Sequence, residues 1–170
     1  MGEFKKRPSS MDKETFIETF GGVYEHSPWV AEAIWRAGIA PTHDVIETLA
    51  VCMAKVVESA DNDTKMKLIN AHPDLAGKAA VRGELTAAST TEQSGAGLGE
   101  CTSSEFEKFQ AYNEAYKEKF GFPFIKAVKN SNRHEIMAGF AARIGNNPDK
   151  EFKTALLEID KIARFRLLEL

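Results

Sequence analysis

The chain has 170 residues, of which 43% are hydrophobic and 28% charged, and its formal net charge is −3. This length suits one domain with a substantial core, and the slightly negative charge disfavours nucleic acid and anionic membranes as partners. The two cysteines, Cys52 and Cys101, have neither metal-site spacing nor the density of a disulfide scaffold. A reducing cytoplasm is therefore the expected location.

The first ten residues, MGEFKKRPSS, are polar and lack the apolar stretch of a secretory signal. We interpret residues 1–10 as a disordered tail or a remnant of cloning, and residues 11–170 as a single helical domain. No apolar run in the sequence approaches the length of a membrane span.

Nearly every segment of the first half shows the apolar spacing of an amphipathic helix. This spacing predicts helices over about 12–20, 28–38, 42–56 and 62–71, with Thr42 as a candidate cap of the third. Residues 73–88 contain Pro73, Gly77 and Gly83 and no sustained period, so they predict a loop or single turns.

Four helix starts follow in the second half. Ser89-x-x-Glu92 reads as a capping box that opens a short helix, and Thr102-x-x-Glu105 reads as a second box. Ser131 or Asn132 begins the next helix, and Asn147-Pro148 caps a long final one. Because no strand-like alternation persists, the predicted fold class is all-α, a single-domain bundle of about seven or eight helices.

Three stretches stand out chemically: AHPDLAGK (71–78), LTAASTTEQSGAGL (85–98) and EKFGFPFIKAV (118–128). Each also has a purely structural interpretation. His72 has the position of a helix-end histidine before a terminating proline, and the capping box accounts for Ser89 and Glu92. The aromatic residues around Pro123 suit a buried kink. No zinc spacing, phosphate loop or nucleophile elbow is present, so an enzyme built on this chain is expected to need no metal or nucleotide cofactor.

Four motifs occur together along the chain: HPDLAGK, LT-x-x-S-x-x-EQ-x-x-AGL, YNEAYKEKFGFPFI and EI-x-KIA-x-x-RL. In this order they resemble the OHCU decarboxylase family, where OHCU is 2-oxo-4-hydroxy-4-carboxy-5-ureidoimidazoline. The likeness runs from about Phe16 to the C-terminus. It implies an all-helical, usually homodimeric enzyme of urate breakdown, which removes the carboxylate of OHCU to give (S)-allantoin without a cofactor.

The resemblance also implies roles for individual residues. His72 matches the catalytic histidine and Glu92 its acidic partner. The positions that it places at the substrate are Pro73, Ser89, Gln93, Phe124, Ile125, Lys126, Ala127, Val128 and Arg166. If Ser89 is an N-cap, the backbone amides of Thr90 and Thr91 are also available to a ligand oxygen.

Two other functions fit the same sequence. One is a non-catalytic helical interaction module that retains the scaffold, and the other is a related ring hydrolase in which His72 and Glu92 activate water. The presence of His72, Glu92 and Gln93 together favours the decarboxylase over the interaction module. Small-molecule substrate and product, with no nucleic acid and no membrane, are the expected partners besides a second copy of the chain.

Overall fold

The computed structural model describes residues 2–170. Within that range the chain forms nine α-helices and three short 3-10 helices, with one isolated bridge between Glu3 and Val45 and no strand. The α-helices are α1 (Lys13–Phe20), α2 (Trp29–Ala37), α3 (Ile46–Ser59), α4 (Asn62–Asn70), α5 (Lys78–Val81), α6 (Ala87–Gly95), α7 (Ser103–Phe120), α8 (Arg133–Arg143) and α9 (Pro148–Leu167). The predicted all-α class is confirmed, and the additional helix is the single turn α5. No helix in residues 2–170 has both the length and the apolar character to cross a membrane.

Local capping signals set several of these boundaries. Thr102 and Glu105 form the predicted reciprocal capping box at the start of α7. The side chain of Asn132 accepts from the amides of His134 and Glu135, so Asn132 is the cap of α8. Thr42, in contrast, is not a helix cap: it lies inside the 3-10 helix Pro41–Asp44, and α3 begins only after Val45.

The chain divides into two compact units. The first comprises the residues up to Ala71 together with Asp160–Leu170, and the second is His72–Ile159. Helix α9 therefore supplies residues to both units.

Aromatic packing and polar contacts hold the first unit together. The ring of Phe16 lies 4.8 Å from that of Phe20 and 5.4 Å from that of Trp35, measured between centroids. The Tyr24 hydroxyl donates to the carboxylate of Asp160 at 2.9 Å, which attaches the C-terminal part of α9 to this unit.

The N-terminal residues of this unit are ordered rather than a disordered tail. Phe4 is 5% exposed and packs edge-on against Phe20, with ring centroids 5.3 Å apart. The amide and hydroxyl of Ser9 both donate to the carboxylate of Asp44, at 2.8 and 2.7 Å. The prediction of disorder is therefore wrong for residues 3–10. The contacts responsible are distant in sequence, so the polar composition of the segment did not reveal them.

An aromatic cluster forms the core of the second unit. Phe140 of α8 stacks on Phe124 at 3.8 Å and on Tyr112 of α7 at 5.4 Å, between ring centroids. Helix α7 ends at Gly121, whose φ of +79° is a left-handed conformation that glycine adopts without strain. The chain then leaves the helix with Phe122 and Phe124 buried, as predicted for these aromatic residues. This packing fixes the start of segment 124–128.

We expect Phe4→Ala to lower the free energy of unfolding by about 3 kcal/mol, because it removes a buried ring from the first unit. Urea denaturation at neutral pH measures the change. Lys5→Ala, at an exposed neighbouring position, is the matched control and should have little effect. Equal stability of Phe4→Ala and Lys5→Ala would restore the interpretation of this segment as a disordered tail.

Candidate active site

His72 is the first residue of the second unit and begins a tightly held loop. It is 8% exposed and lies two positions after the last residue of α4. Four positions further on, Ala76 has a φ of +50°, a conformation that costs a residue with a Cβ on the order of 1 kcal/mol or more. Such strain persists only where the surroundings hold the backbone firmly, so the contacts of this loop decide how well His72 is placed.

Gln93 of α6 holds the strained residue and its neighbour. Its Oε1 accepts from the amide of Ala76 at 3.0 Å, and its Nε2 donates to the carbonyl of Asp74 at 3.2 Å. Gln93 itself is 5% exposed. The side chain predicted to bind substrate thus joins α6 to the loop that follows His72.

One stripe of α7 holds the same loop from another helix. Gln110 donates to the carbonyl of Ala76 at 2.8 Å, and Asn113 donates to that of Leu75 at 2.9 Å. One turn further on, the ammonium of Lys117 lies 2.6 Å from the carboxylate of Asp74. These three positions follow helical spacing and contact three consecutive loop residues: Gln110 and Asn113 bind the backbone of Ala76 and Leu75, and Lys117 binds the side chain of Asp74.

The glycine of this loop is required by close packing. A Cβ added to Gly77 would lie 2.6 Å from the Cβ of Asp74 and 3.3 Å from its carbonyl oxygen. Real Cβ atoms do not approach other heavy atoms so closely, so a larger residue would displace the loop. The motif PDLAGK is therefore explained by a fixed turn immediately after His72–Pro73.

Helix α6 starts three residues earlier than predicted. Thr86 is its N-cap and accepts a hydrogen bond from the amide of Ser89 at 3.2 Å. Ser89 is therefore the third residue of the helix, and the prediction that it is the N-cap is wrong. The sequence TAASTTE contains two overlapping cap patterns, and the structure uses the first.

This correction removes the capping explanation for Glu92. A capping box needs its acidic residue three positions after the cap, whereas Glu92 lies six positions after Thr86. Ser89 and Gln93 are four residues apart and both buried, which places them on one face of α6, and Glu92 is half-buried beside them. Glu92 thus has no role in starting its own helix.

Thr90 and Thr91 lie inside α6 rather than at its start. Thr90 is exposed, and its amide donates to the carbonyl of Thr86 at 2.9 Å as part of the helix. Thr91 is also exposed, and its hydroxyl donates to the carbonyl of Ala87 at 3.0 Å. The expectation of open amides depended on Ser89 as the cap and does not hold for Thr90, while contact of Thr90 and Thr91 with substrate stays a prediction.

A cavity of about 750 Å³ lies within the second unit beside α6. Its walls include Thr90, Gln93 and Phe106, but His72 and Glu92 are not among its lining residues. The cavity therefore borders Gln93 and the loop that Gln93 holds, at Ala76 and Gly77.

Two charged side chains hold the backbone of segment 124–128. Nη1 of Arg143 donates to the carbonyl of Ile125 at 2.6 Å, and its guanidinium lies 4.3 Å from the ring centroid of Phe124. The amide of Ala127 donates to the carboxylate of Glu158 at 2.8 Å. Of the five residues predicted to contact substrate through this segment, Ala127 therefore has its amide committed to the protein.

Arg143 is itself held by a buried carboxylate. Its Nη2 and Nε donate to Glu151 at 2.8 and 3.0 Å, and Tyr116 and Asn146 donate to the same carboxylate. Burial raises the pKa of Glu151, but these hydrogen bonds and the charge of Arg143 together lower it below its usual value. Burial and the bond to Glu151 raise the pKa of Tyr116. Glu151 is therefore an ionised carboxylate at neutral pH, and the charge of Arg143 neutralises it.

Arg166 belongs to the first unit. Its guanidinium lies 2.8 Å from the carboxylate of Glu25, and it donates to the carbonyl of Val23 at 3.3 Å. Arg166 and Glu25 are 7% and 2% exposed. A buried carboxylate thus neutralises and orients the arginine that the sequence motif predicted at the substrate.

Sequence reasoning missed the residues that hold this site. Four of them bind backbone groups far away along the chain, namely Gln110, Asn113, Arg143 and Glu158. The other two hold arginine side chains: Glu151 binds Arg143, and Glu25 binds Arg166. The available signal was the polar stripe at 110, 113 and 117 on an otherwise amphipathic helix, which marks a polar contact within the unit. Within residues 2–170 no group of histidine, cysteine or acidic side chains is arranged to hold a metal ion.

The family model described as OHCU decarboxylase matches residues 9–168. The chain belongs to the OHCU decarboxylase family. A 2-oxo-4-hydroxy-4-carboxy-5-ureidoimidazoline decarboxylase from Haloferax volcanii is 42% identical, over 94% of this chain and 90% of the relative. The uric acid degradation bifunctional protein of Bacillus subtilis is 38% identical over 95% of this chain, which spans 31% of that longer protein.

A solved structure extends this similarity to the fold. The crystal structure of (S)-allantoin synthase aligns with a TM-score of 0.73 and 34% identity, over 95% of this chain and 51% of that chain. The chain therefore spans about half the length of that solved protein. The predicted resemblance to the OHCU decarboxylase family is confirmed by these matches.

We expect Thr86→Ala to lower the free energy of unfolding by about 1 kcal/mol, because α6 loses its side-chain cap. Thr90→Ala, in the exposed interior of the same helix, is the control and should change stability by only a few tenths of a kcal/mol. Chemical denaturation of both variants measures the difference. A larger loss in Thr90→Ala than in Thr86→Ala would contradict the observed start of the helix.

Proposed function

We propose that this chain catalyses the decarboxylation of OHCU to (S)-allantoin during urate degradation. The observation that carries the proposal is the buried His72 at the head of a loop tied by Gln93 to the helix of Glu92. The family match over residues 9–168 indicates that OHCU is the substrate.

The substrate contains its own electron sink. Its carboxylate and hydroxyl share one ring carbon, and the neighbouring carbon, which bears the ureido group, is doubly bonded to nitrogen. When the bond to the carboxylate breaks, CO₂ leaves, the electron pair forms a double bond between the two ring carbons, and the ring nitrogen gains a proton. The hydroxyl then gives up its proton and becomes a carbonyl, while the ureido-bearing carbon accepts a proton on one face. One CO₂ is released and one net proton is consumed, so the ring performs the role that an added electron sink has in other decarboxylases.

His72 and Glu92 are the proposed catalytic residues. A histidine changes protonation near neutral pH, so His72 is suited to bind the hydroxyl and carboxylate and to exchange a proton with them. Glu92 orients or charges the imidazole, or carries the proton to the ring carbon. Positioned acid–base groups typically contribute about 10²–10⁴ in rate.

The remaining predicted residues would bind and orient the flat ligand. Ser89 offers a hydroxyl, and Gln93 has a second amide hydrogen and a second lone pair beyond its contacts with the loop. Segment 124–128 offers backbone groups, and Arg166 offers a cation for an anionic substituent. Pro73 restricts the backbone beside His72.

We also propose that the enzyme is a cytoplasmic homodimer. The family resemblance supports the dimer, and Val81 and Leu157 of the second unit are exposed apolar side chains available to a subunit contact. Light scattering of the 18.8 kDa chain should then give about twice that mass at micromolar concentration. The mass of a monomer at micromolar concentration would contradict the dimer without affecting the proposed reaction.

The reaction is tested by forming OHCU in place from urate with urate oxidase and hydroxyisourate hydrolase, and following optically active allantoin by circular dichroism. We expect His72→Asn and Glu92→Gln to lower the rate of (S)-allantoin formation by about 10²–10⁴ while remaining folded. Glu92→Gln isolates the charge, since glutamine keeps the size of the side chain.

Matched controls are His134→Asn and Glu114→Gln, both at exposed positions of the second unit. They should retain the wild-type rate. A wild-type rate equal to that without protein would contradict the decarboxylase and favour an interaction module. Ring opening without release of CO₂ would instead identify a hydrolase.

A further inference from the structure

Segment 124–128 is anchored at two points that flank one residue. On one side of Lys126, the carbonyl of Ile125 accepts from Arg143 at 2.6 Å. On the other side, the amide of Ala127 donates to Glu158 at 2.8 Å. Both anchors are charged side chains of the same compact unit, and both act on backbone groups.

These anchors determine where the backbone groups of Lys126 point. Residues 2–170 contain no cis peptide bond, so each peptide group holds its carbonyl and its amide in one plane and in opposite directions. Fixing the carbonyl of Ile125 therefore directs the amide of Lys126 away from Arg143. Fixing the amide of Ala127 likewise directs the carbonyl of Lys126 away from Glu158.

We propose that Arg143 and Glu158 are positioning residues that aim the backbone amide and carbonyl of Lys126 at the substrate, which extends the proposed decarboxylase function. Residues 123–128 lie outside any helix or turn, and where such a segment is extended the amide and carbonyl of one residue point to the same side of the chain. They then form an adjacent donor and acceptor. This pair is complementary to a urea or cyclic amide edge, which presents a carbonyl oxygen beside an N–H.

The support behind Arg143 favours a precise role over simple packing. Two edges of its guanidinium are used, because Nε and Nη2 bind Glu151 while Nη1 binds Ile125. Its plane also lies over Phe124, 4.3 Å from the ring centroid. A lysine keeps the charge but has one ammonium group, so it cannot make the contacts of both edges. Glu151 is 0% exposed, so its carboxylate will stay paired with the cation at position 143, whether that residue is arginine or lysine.

Arg143→Lys tests the first anchor, and Arg133→Lys is its control. Arg133 is on the same helix and pairs with Glu105 at 3.1 Å, away from segment 124–128. We expect Arg143→Lys to weaken the binding of allantoin, measured by calorimetry, about tenfold. We also expect it to lower kcat/KM for OHCU about ten- to hundredfold, since small displacements of a bound substrate cost rates of this size. Arg133→Lys should stay within twofold of wild type in both.

Substitutions of Glu158 test the second anchor, and their result does not depend on whether Arg143→Lys folds. Glutamine retains an oxygen that can accept from the amide of Ala127, whereas alanine does not. Glu158→Gln should therefore keep allantoin affinity within about threefold of wild type, and Glu158→Ala should lose about tenfold. A role in packing alone would lower stability in both variants without separating their affinities.

The proposed function and this inference fail in different ways. An inactive wild-type protein contradicts the decarboxylase. An active wild type, with Arg143→Lys equal to Arg133→Lys in affinity and kcat/KM, contradicts the role of Arg143. Equal affinities of Glu158→Gln and Glu158→Ala contradict that of Glu158. A loss of rate in Arg143→Lys that is matched by a proportional loss in Arg133→Lys also overturns the proposal, because the effect is then not specific to the segment.

Discussion

The buried carboxylate of Glu151 is the constraint on which the second unit depends. It is fully buried and receives hydrogen bonds from Tyr116 of α7, Arg143 of α8 and Asn146 of the turn before α9. Removing one partner from a buried ion pair typically costs about 3–5 kcal/mol, because the remaining charge is left without compensation. Glu151 itself lies on α9, so its charge fixes the placement of α7, α8 and α9 relative to one another. Arg143, which neutralises that charge, in turn fixes the backbone of Ile125.

The loop after His72 is held by a different kind of interaction. Neutral amides of Gln93, Gln110 and Asn113 bind its backbone, and they maintain Ala76 in a left-handed conformation that is unfavourable for alanine. Asp74 in this loop also pairs with Lys117, whose ammonium group is exposed. Hydrogen bonds from three neutral side chains therefore hold the backbone of this loop.

The sequence predicted the parts of the fold that depend on neighbouring residues. The caps at Thr102 and Asn132 are local signals: Thr102 occurs where the pattern placed it, and Asn132 is one of the two residues that the pattern allowed. The start of α6 was wrong because Thr86-x-x-Ser89 and Ser89-x-x-Glu92 are both acceptable cap patterns. What decides between them is the burial of Ser89 and Gln93 on one helical face, which is tertiary information. Phe4 was missed for the same reason, since its partner Phe20 is distant in sequence.

For the same reason, the motif around Lys126 could be recognised although it did not reveal how the segment is held. A segment that binds through its backbone places few demands on its own side chains, so the identity of residue 126 carries little information. The residues that this segment requires are instead Arg143 and Glu158, which lie 18 and 31 residues away from the groups they hold. Neither residue has a local pattern that distinguishes it from an ordinary charged residue of an amphipathic helix. In a site of this kind, the chemistry can be inferred from a few motif residues, whereas its precision depends on distant residues that only the fold brings to the backbone.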